Sequence, residues 1–299
     1  MRAPILAVCF ALLVSAAAAQ PSRTIPGPFV RNTTGGVNGQ TAWATAQVVL
    51  PPVAPPFIGA PFSGEESQRS TQVLPDGTRI NRSMGGGAKV FRDSEGRTRV
   101  ERTMFPVPPA RAGTPEIAQI VIVEINDPGQ GVYYLLDSNK KIAHRLKYPP
   151  PAPYQTRQPV RRPSGPSTET DTSPQGIRTT TEDLGQRVIN GVQAEGRRRT
   201  MTIPENLQGN DRPMNIVTED WTAVSLEIII KSTNTSPQSG ESTFELTNVS
   251  LASPSPLLFS PPPDYTVQDE QSPFTAEFGQ KPAGARGSVS VGIISVGKP

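Results

Sequence analysis

The chain has 299 residues, a formal net charge of +3 and 35% hydrophobic residues, with 34 prolines and 26 glycines. So small a charge balance drives no strong attraction to nucleic acid or to an anionic membrane. The hydrophobic fraction is low for a chain packed throughout, so part of the length is expected to be linker or tail around a core of about 200 residues.

Residues 1–19 read as a secretory signal peptide. Arg2 gives a positive start, Ala3 to Val14 is an apolar run, and Ala17-Ala18-Ala19 before Gln20 fits an A-x-A cleavage site. The run is too short to span a bilayer, and no stop-transfer segment follows it. An exported protein, periplasmic or extracellular, is expected. Cleavage would remove Cys9, the one cysteine, and with it any disulfide or thiolate chemistry. Leu6-Ala7-Val8-Cys9 faintly resembles a lipobox, but Cys9 lies inside the apolar run rather than at its end.

Residues 20–61 read as an irregular Pro/Gly-rich leader. It carries Gly35-Gly36, the apolar stretch Ala46 to Leu50, and Pro51, Pro52, Pro55 and Pro56. Proline removes backbone donors, so the leader is expected to be extended with at most one edge strand, and Trp43 is a candidate anchor for it. From Phe62 onward, short β-branched or alternating runs are separated by turn signals. Ser67 to Leu74 and Thr78 to Ser83 flank Pro75-Asp76-Gly77. Lys89 to Arg92 and Arg97 to Met104 flank Asp93-Ser94-Glu95-Gly96. Glu116 to Asn126 contains Ile120-Val121-Ile122-Val123 and must be largely buried. Asp127-Pro128-Gly129 turns it into Val132 to Leu136, and Asp137-Ser138-Asn139-Lys140 leads on to Ile142 to Leu146.

Residues 148–176 are rich in Pro, Ser, Thr and Arg and read as a flexible loop. Strands resume at Thr179 to Ile189 and Val192 to Ile203, around Asn190-Gly191, the strongest two-residue hairpin signal in the chain. Asn215 to Thr222, Leu226 to Thr235 and Glu241 to Val249 follow. Pro256-Leu257-Leu258-Phe259 reads as a helical turn. Residues 268–299 read as a Gly/Ser/Pro-rich tail in which Ser288 to Val296 can add an edge strand. No window sustains a 3.6-residue apolar period. The expected fold is all-β: about ten strands in a curved, mainly antiparallel sheet that forms an incompletely closed barrel. A transmembrane barrel is disfavoured, because aromatic girdles are lacking.

Four segments together resemble the LolA-like family of outer-membrane lipoprotein carriers and its uncharacterised secreted bacterial relatives. They are Val90-Phe91-Arg92-Asp93-Ser94-Glu95-Gly96-Arg97-Thr98-Arg99-Val100-Glu101, Leu184 to Val192, Glu219-Asp220-Trp221 through Ile230, and Leu257-Leu258-Phe259 with Pro263-Asp264-Tyr265. The resemblance spans residues 62–267. It implies a strongly curved antiparallel sheet with helices over its mouth and a lipid or lipoprotein as partner. The lid helices are not found in this sequence, and none of the four segments is a catalytic signature.

No nucleophile-elbow G-x-S-x-G is present, and His144 is the one histidine. A serine triad or a zinc site is therefore not expected, and His144 reads as a solvated strand residue. Ser138/Lys141 and Ser295/Lys298 match S-x-x-K without the helix that chemistry needs. Gly292 to Lys298 matches a phosphate-loop pattern by chance, because Pro299 stands at the Ser/Thr position. Glu65-Glu66, Glu182-Asp183 and Glu219-Asp220 read as solvated rim charges, since neighbours in a strand point to opposite faces. Arg97, Arg99 and Arg102 with Glu101, and Arg197-Arg198-Arg199, read as cross-strand charge ladders. Catalysis, cofactors and metals are not expected. Tyr134, Trp221, Ile228, Ile230 and Phe244 are the residues able to line a concave apolar face, with core packing as their other use. Two functions follow. One is a non-catalytic envelope protein holding a lipid or other amphipathic ligand in the curved sheet. The other is a structural or protein-interaction module of the envelope with no small-molecule site.

Overall fold

The structure, a computed structural model, describes residues 30–38, 41–50, 56–83, 87–104, 120–150, 168–279 and 289–291. The signal peptide, Ser295 and Lys298 lie outside these residues. Strands dominate the fold. In chain order they are β1 (Val30–Asn38), β2 (Thr41–Val48), β3 (Phe62–Val73), β4 (Arg79–Ser83), β5 (Ala88–Arg92) and β6 (Thr98–Met104). Next come β7 (Ile120–Asp127), β8 (Val132–Asp137), β9 (Ile142–Lys147), β10 (Thr168–Thr172), β11 (Arg178–Ile189) and β12 (Val192–Ile203). The last six are β13 (Met214–Ala223), β14 (Ile228–Ser236), β15 (Gly240–Ser250), β16 (Thr266–Glu270), β17 (Phe274–Gly279) and β18 (Val289–Val291). A 3-10 turn, Pro256–Phe259, follows β15.

A 14-stranded sheet runs in the order β10-β11-β12-β13-β14-β15-β3-β5-β6-β7-β8-β9-β16, with β4 also on β3. All its pairs are antiparallel except β9 with β16. The two end strands do not pair with each other, so the sheet is curved but not closed into a barrel. Its curl is tight at one end. The Asn190 side-chain amide, at the β11–β12 turn, donates to the Leu246 carbonyl on β15 at 2.7 Å. Asn190 and Gly191 both have positive φ, +49° and +82°, as a tight two-residue hairpin turn requires.

A second, 4-stranded sheet has the order β17-β2-β1-β18. It packs on one face of β7–β9. Ala44, Ala46, Val48, Phe274 and Phe278 share a core with Ile120, Ile122, Tyr133, Leu135 and Leu146. The opposite face of β7–β9 is covered by the 3-10 turn, where Phe259 meets Val123, Ile125, Leu136 and Ala143. This explains why Ile120 to Val123 is apolar without a break. A strand covered on both faces has no solvent side for polar residues. The third core fills the curl at the tight end: Phe62, Val90, Val100, Ala194, Trp221, Ala223, Ile228, Ile230 and Leu246.

The all-β architecture and the antiparallel order of β3–β9 and β11–β15 agree with the sequence. Three stretches differ. The segment read as an irregular leader contains the hairpin β1–β2, in which Gly35 pairs with Ala44 and Gly36 with Trp43. Trp43 is buried there. The segment read as a flexible loop ends in β10, and residues 151–167 of it lie outside the described residues. The tail contains β17 and β18, and β18 sits at the sheet edge within Ser288 to Val296. In β1 and β10 the residues are mostly small or polar, and pairing supplies the order that apolar alternation does not announce. β17, by contrast, alternates apolar and polar residues and buries Phe274, Ala276 and Phe278.

Candidate functional site

The five apolar residues singled out from the sequence do not share one surface. Trp221, Ile228 and Ile230 meet in the core of the curl, each no more than 4% exposed. Tyr134 packs at the edge of the core under the 3-10 turn. Phe244 is half-buried on β15, where it pairs with Gln68 and Ser232.

Trp221 lies flat across Gly196, its direct cross-strand partner. A Cβ built on Gly196 would stand 2.6 Å from the ring, so only glycine admits this approach. The Arg187 guanidinium covers the ring at 3.5 Å from its centroid. The indole N–H donates to Glu219 Oε1 at 2.8 Å. That hydrogen bond, with the nearby Arg198, holds the Glu219 carboxyl below its ordinary value.

Beside the curl lies a polar cluster absent from the sequence reading. Arg102 on β6 donates to Glu124 Oε1 on β7 at 2.7 Å, and the Tyr133 hydroxyl on β8 donates to Glu124 Oε2 at 3.0 Å. Glu66 on β3 completes the group. Burial pushes its carboxyl above the ordinary value, against the attraction of Arg102. Burial also raises the Tyr133 phenol well above its usual value. Glu66 is therefore not a solvated rim charge, whereas Glu65 is exposed and accepts from Asn248 at 2.9 Å. Register is what hides the cluster. It comes from four strands, and no local pattern joins them. Arg102 and Tyr133 hydrogen-bond Glu124, and Arg102 attracts Glu66 while Glu124 repels it, so the register of these strands is tied to one shared cation.

Arg92, in the segment carrying the first family-like motif, is also structural. It donates to the Ala60 carbonyl at 2.9 Å and to the Leu226 carbonyl at 2.7 Å, between the rings of Phe57 and Phe62. Burial lowers its pKa to about 10. Asp93 caps the adjoining turn by accepting from the Glu95 and Arg97 amides.

The remaining candidates are accounted for one by one. His144 is not a solvated residue. Its Nδ1 sits 2.8 Å from Glu270 Oε1, and its ring stacks on Phe274 with centroids 5.8 Å apart. Lys141 is held by Asp264 at 3.1 Å and lies over the Tyr265 ring. Arg198 forms the expected cross-strand ladder, bridging Glu182 and Glu219. The other group does so only through Arg102, which reaches Glu124; Arg99 pairs with Glu101 along its own strand at 2.7 Å, and Arg97 with Asp93 in the turn. No group of three or more His, Cys, Asp or Glu able to hold a metal occurs among the described residues.

A shallow cleft of about 500 Å³ opens between the β3–β4 and β14–β15 hairpins. Thr71, Gln72, Arg79, Asn81, Ser236 and Glu241 line it, so its walls are polar.

The most extensive feature is the sheet outside the cores. In the outer halves of β11–β15 and β3, both faces reach solvent and threonine, serine and asparagine predominate. One row of directly paired residues crosses eight strands: Thr170, Thr180, Thr200, Val217, Thr235, Glu241, Thr71 and Asn81.

No family model matches the chain, and no curated protein matches it. Among solved structures, it is similar to a candidate lipoprotein from Parabacteroides distasonis. The two are 10% identical over 75% of this chain and 97% of that one, with a TM-score of 0.19. A superposition that loose carries no argument about fold or function.

Proposed function

We propose that the protein is an exported, non-catalytic envelope protein that acts by protein–protein contact. The observation that carries this reading is the state of the concave side. The curl is filled by its own side chains, with Phe62, Val90, Trp221, Ile230 and Leu246 all at 4% exposure or less. A lipid cavity of useful size would need that volume. The accessible area lies instead on the polar two-faced sheet. Export is supported by the N-terminal segment Arg2 to Ala19. The LolA-like segments support a shared strand plan, since Arg92, Asp93 and Phe259 each hold the sheet together. They give no support to a carrier cavity.

The test is crosslinking of the full-length protein in its own envelope, with capture and identification of partners. Lipid extraction of the purified protein runs in parallel. A reproducible protein partner with a lipid-free extract supports the reading. Stoichiometric lipid with no protein partner overturns it in favour of the carrier reading.

A further inference from the structure

We infer that the outer edge of β10 accepts a strand from a partner protein bearing basic residues at alternate positions. This rests on the interaction reading above and names the partner's chemistry. β10 is one end of the 14-stranded sheet and, among the described residues, pairs along one side only, with β11. All five of its residues, Thr168-Glu169-Thr170-Asp171-Thr172, are exposed. A strand edge of this kind presents unpaired amides and carbonyls that an incoming strand can complete.

Charge decides which strand. Residues directly opposite across a ladder share a face. Glu169 stands opposite Thr181 and Asp171 opposite Thr179, while the next residue along that face of β11 is Asp183. That border therefore carries three carboxylates, and the nearest cations on the face, Arg197 and Arg199, are on β12. Neither Glu169 nor Asp171 has an ion pair among the described residues. The other end of the same sheet is different. On β16, Asp269 is engaged by Arg145 at 2.6 Å and Glu270 faces His144 at 2.8 Å. Among the described residues, one end is neutralised by its own neighbours and the other is not.

A strand laid antiparallel on β10 places two of its side chains, two residues apart, opposite Glu169 and Asp171. Lysine or arginine there completes the row. A second copy of β10 does the reverse. With Thr170 opposite itself, Glu169 meets Asp171 twice, and like charges directly opposite are unfavourable. The same carboxylates that discourage self-pairing thus select a basic strand. Both faces of the neighbouring sheet are polar, so the incoming strand needs no apolar side.

The experiment measures binding of a fluorescent nine-residue peptide of alternating lysine and threonine to the full mature protein at low ionic strength. An alternating glutamate–threonine peptide and an N-methylated lysine–threonine peptide serve as comparisons. The lysine peptide is expected to bind at least tenfold tighter than either, and to weaken as salt rises. The double variant Glu169→Lys, Asp171→Lys should invert the preference. Both positions are exposed, and circular dichroism confirms that the variant folds. Equal binding of the N-methylated peptide overturns the inference, as does a preference unchanged by the swap. A wild-type dimer in sedimentation that the lysine peptide does not dissociate also overturns it. If the double variant still captures the envelope partner while wild type takes no peptide, the edge inference fails and the interaction reading stands. If neither peptide nor partner binds, both fail.

Discussion

At the scale of single residues, tryptophan over glycine anchors the curl. Gly196 leaves room for the Trp221 ring, Arg187 caps the ring from outside, and Glu219 takes its N–H. Gly196→Ala drives a methyl into the ring plane, and the ring cannot retreat because the core behind it is filled. Overpacking of this kind costs about 1–3 kcal/mol. A denaturation midpoint lowered with unchanged m-value is the expected result; an unaltered midpoint would show that Trp221 is free to move. Glu66 gives a prediction of opposite sign. Its folded carboxyl is raised by burial, so the folded state keeps the proton to a higher pH than the unfolded chain does. Stability therefore falls as pH rises through the window above the ordinary glutamate value and stays lowered beyond it. Glu66→Gln should raise Tm at neutral pH, with the gain closing in acid below that window. A gain that persists unchanged in acid would refute this cause.

At the scale of elements, turn chemistry made much of the fold legible. Asn190-Gly191 and Asp93 to Gly96 mark hairpins in the sequence, and both are hairpins in the structure. The apolar run Ile120 to Val123 announced a strand covered on both sides. What was illegible is instructive. β1 and β2 carry Gly35-Gly36 and a series of alanines, with little apolar alternation, yet Ala44, Ala46 and Val48 are almost wholly buried. Small side chains let the two sheets approach closely, and hydropathy undervalues them. β10 has no apolar residue at all. The candidate ligand face failed to assemble for a topological reason. Neighbouring residues Tyr133 and Tyr134 enter different cores, because separate elements cover the two faces of β8. The cover on each face comes from distant chain, and local sequence does not specify it. If the small sheet is integral rather than a loose flap, cutting its contact should unfold the protein. Phe278, 2% exposed, sits between the sheets, and Phe278→Ala is expected to cost about 3–5 kcal/mol in a single cooperative transition. A separate early transition would mean that the small sheet folds as its own unit.

At the scale of the whole molecule, one continuous hydrogen-bonded sheet joins two regions held by different forces. Around β7–β9 the sheet is covered by apolar cores on both faces. Toward β10 the same ladder continues through threonine and asparagine rows and charge bridges such as Glu182–Arg198–Glu219, with water on both sides. Exposed ion pairs contribute little, on the order of 0–1 kcal/mol. The ladder beyond the cores is therefore held mainly by backbone pairing and must open more easily. Hydrogen exchange should show this as a gradient along the strand order, not along the chain. Amides of β7 and β8 should be slowest, those of β13 and β14 intermediate, and those of β10 and Thr179 to Thr181 fastest. Chain order and strand order make different forecasts at β15 and β3. They are far apart in sequence but directly paired, with Phe244 opposite Gln68, so strand order requires similar protection. Disparate rates for that pair would separate the sheet into independent units. Matched rates, with fast exchange confined to the β10 end, would fit a rigid body with one deformable edge, the edge to which the proposed basic strand would add.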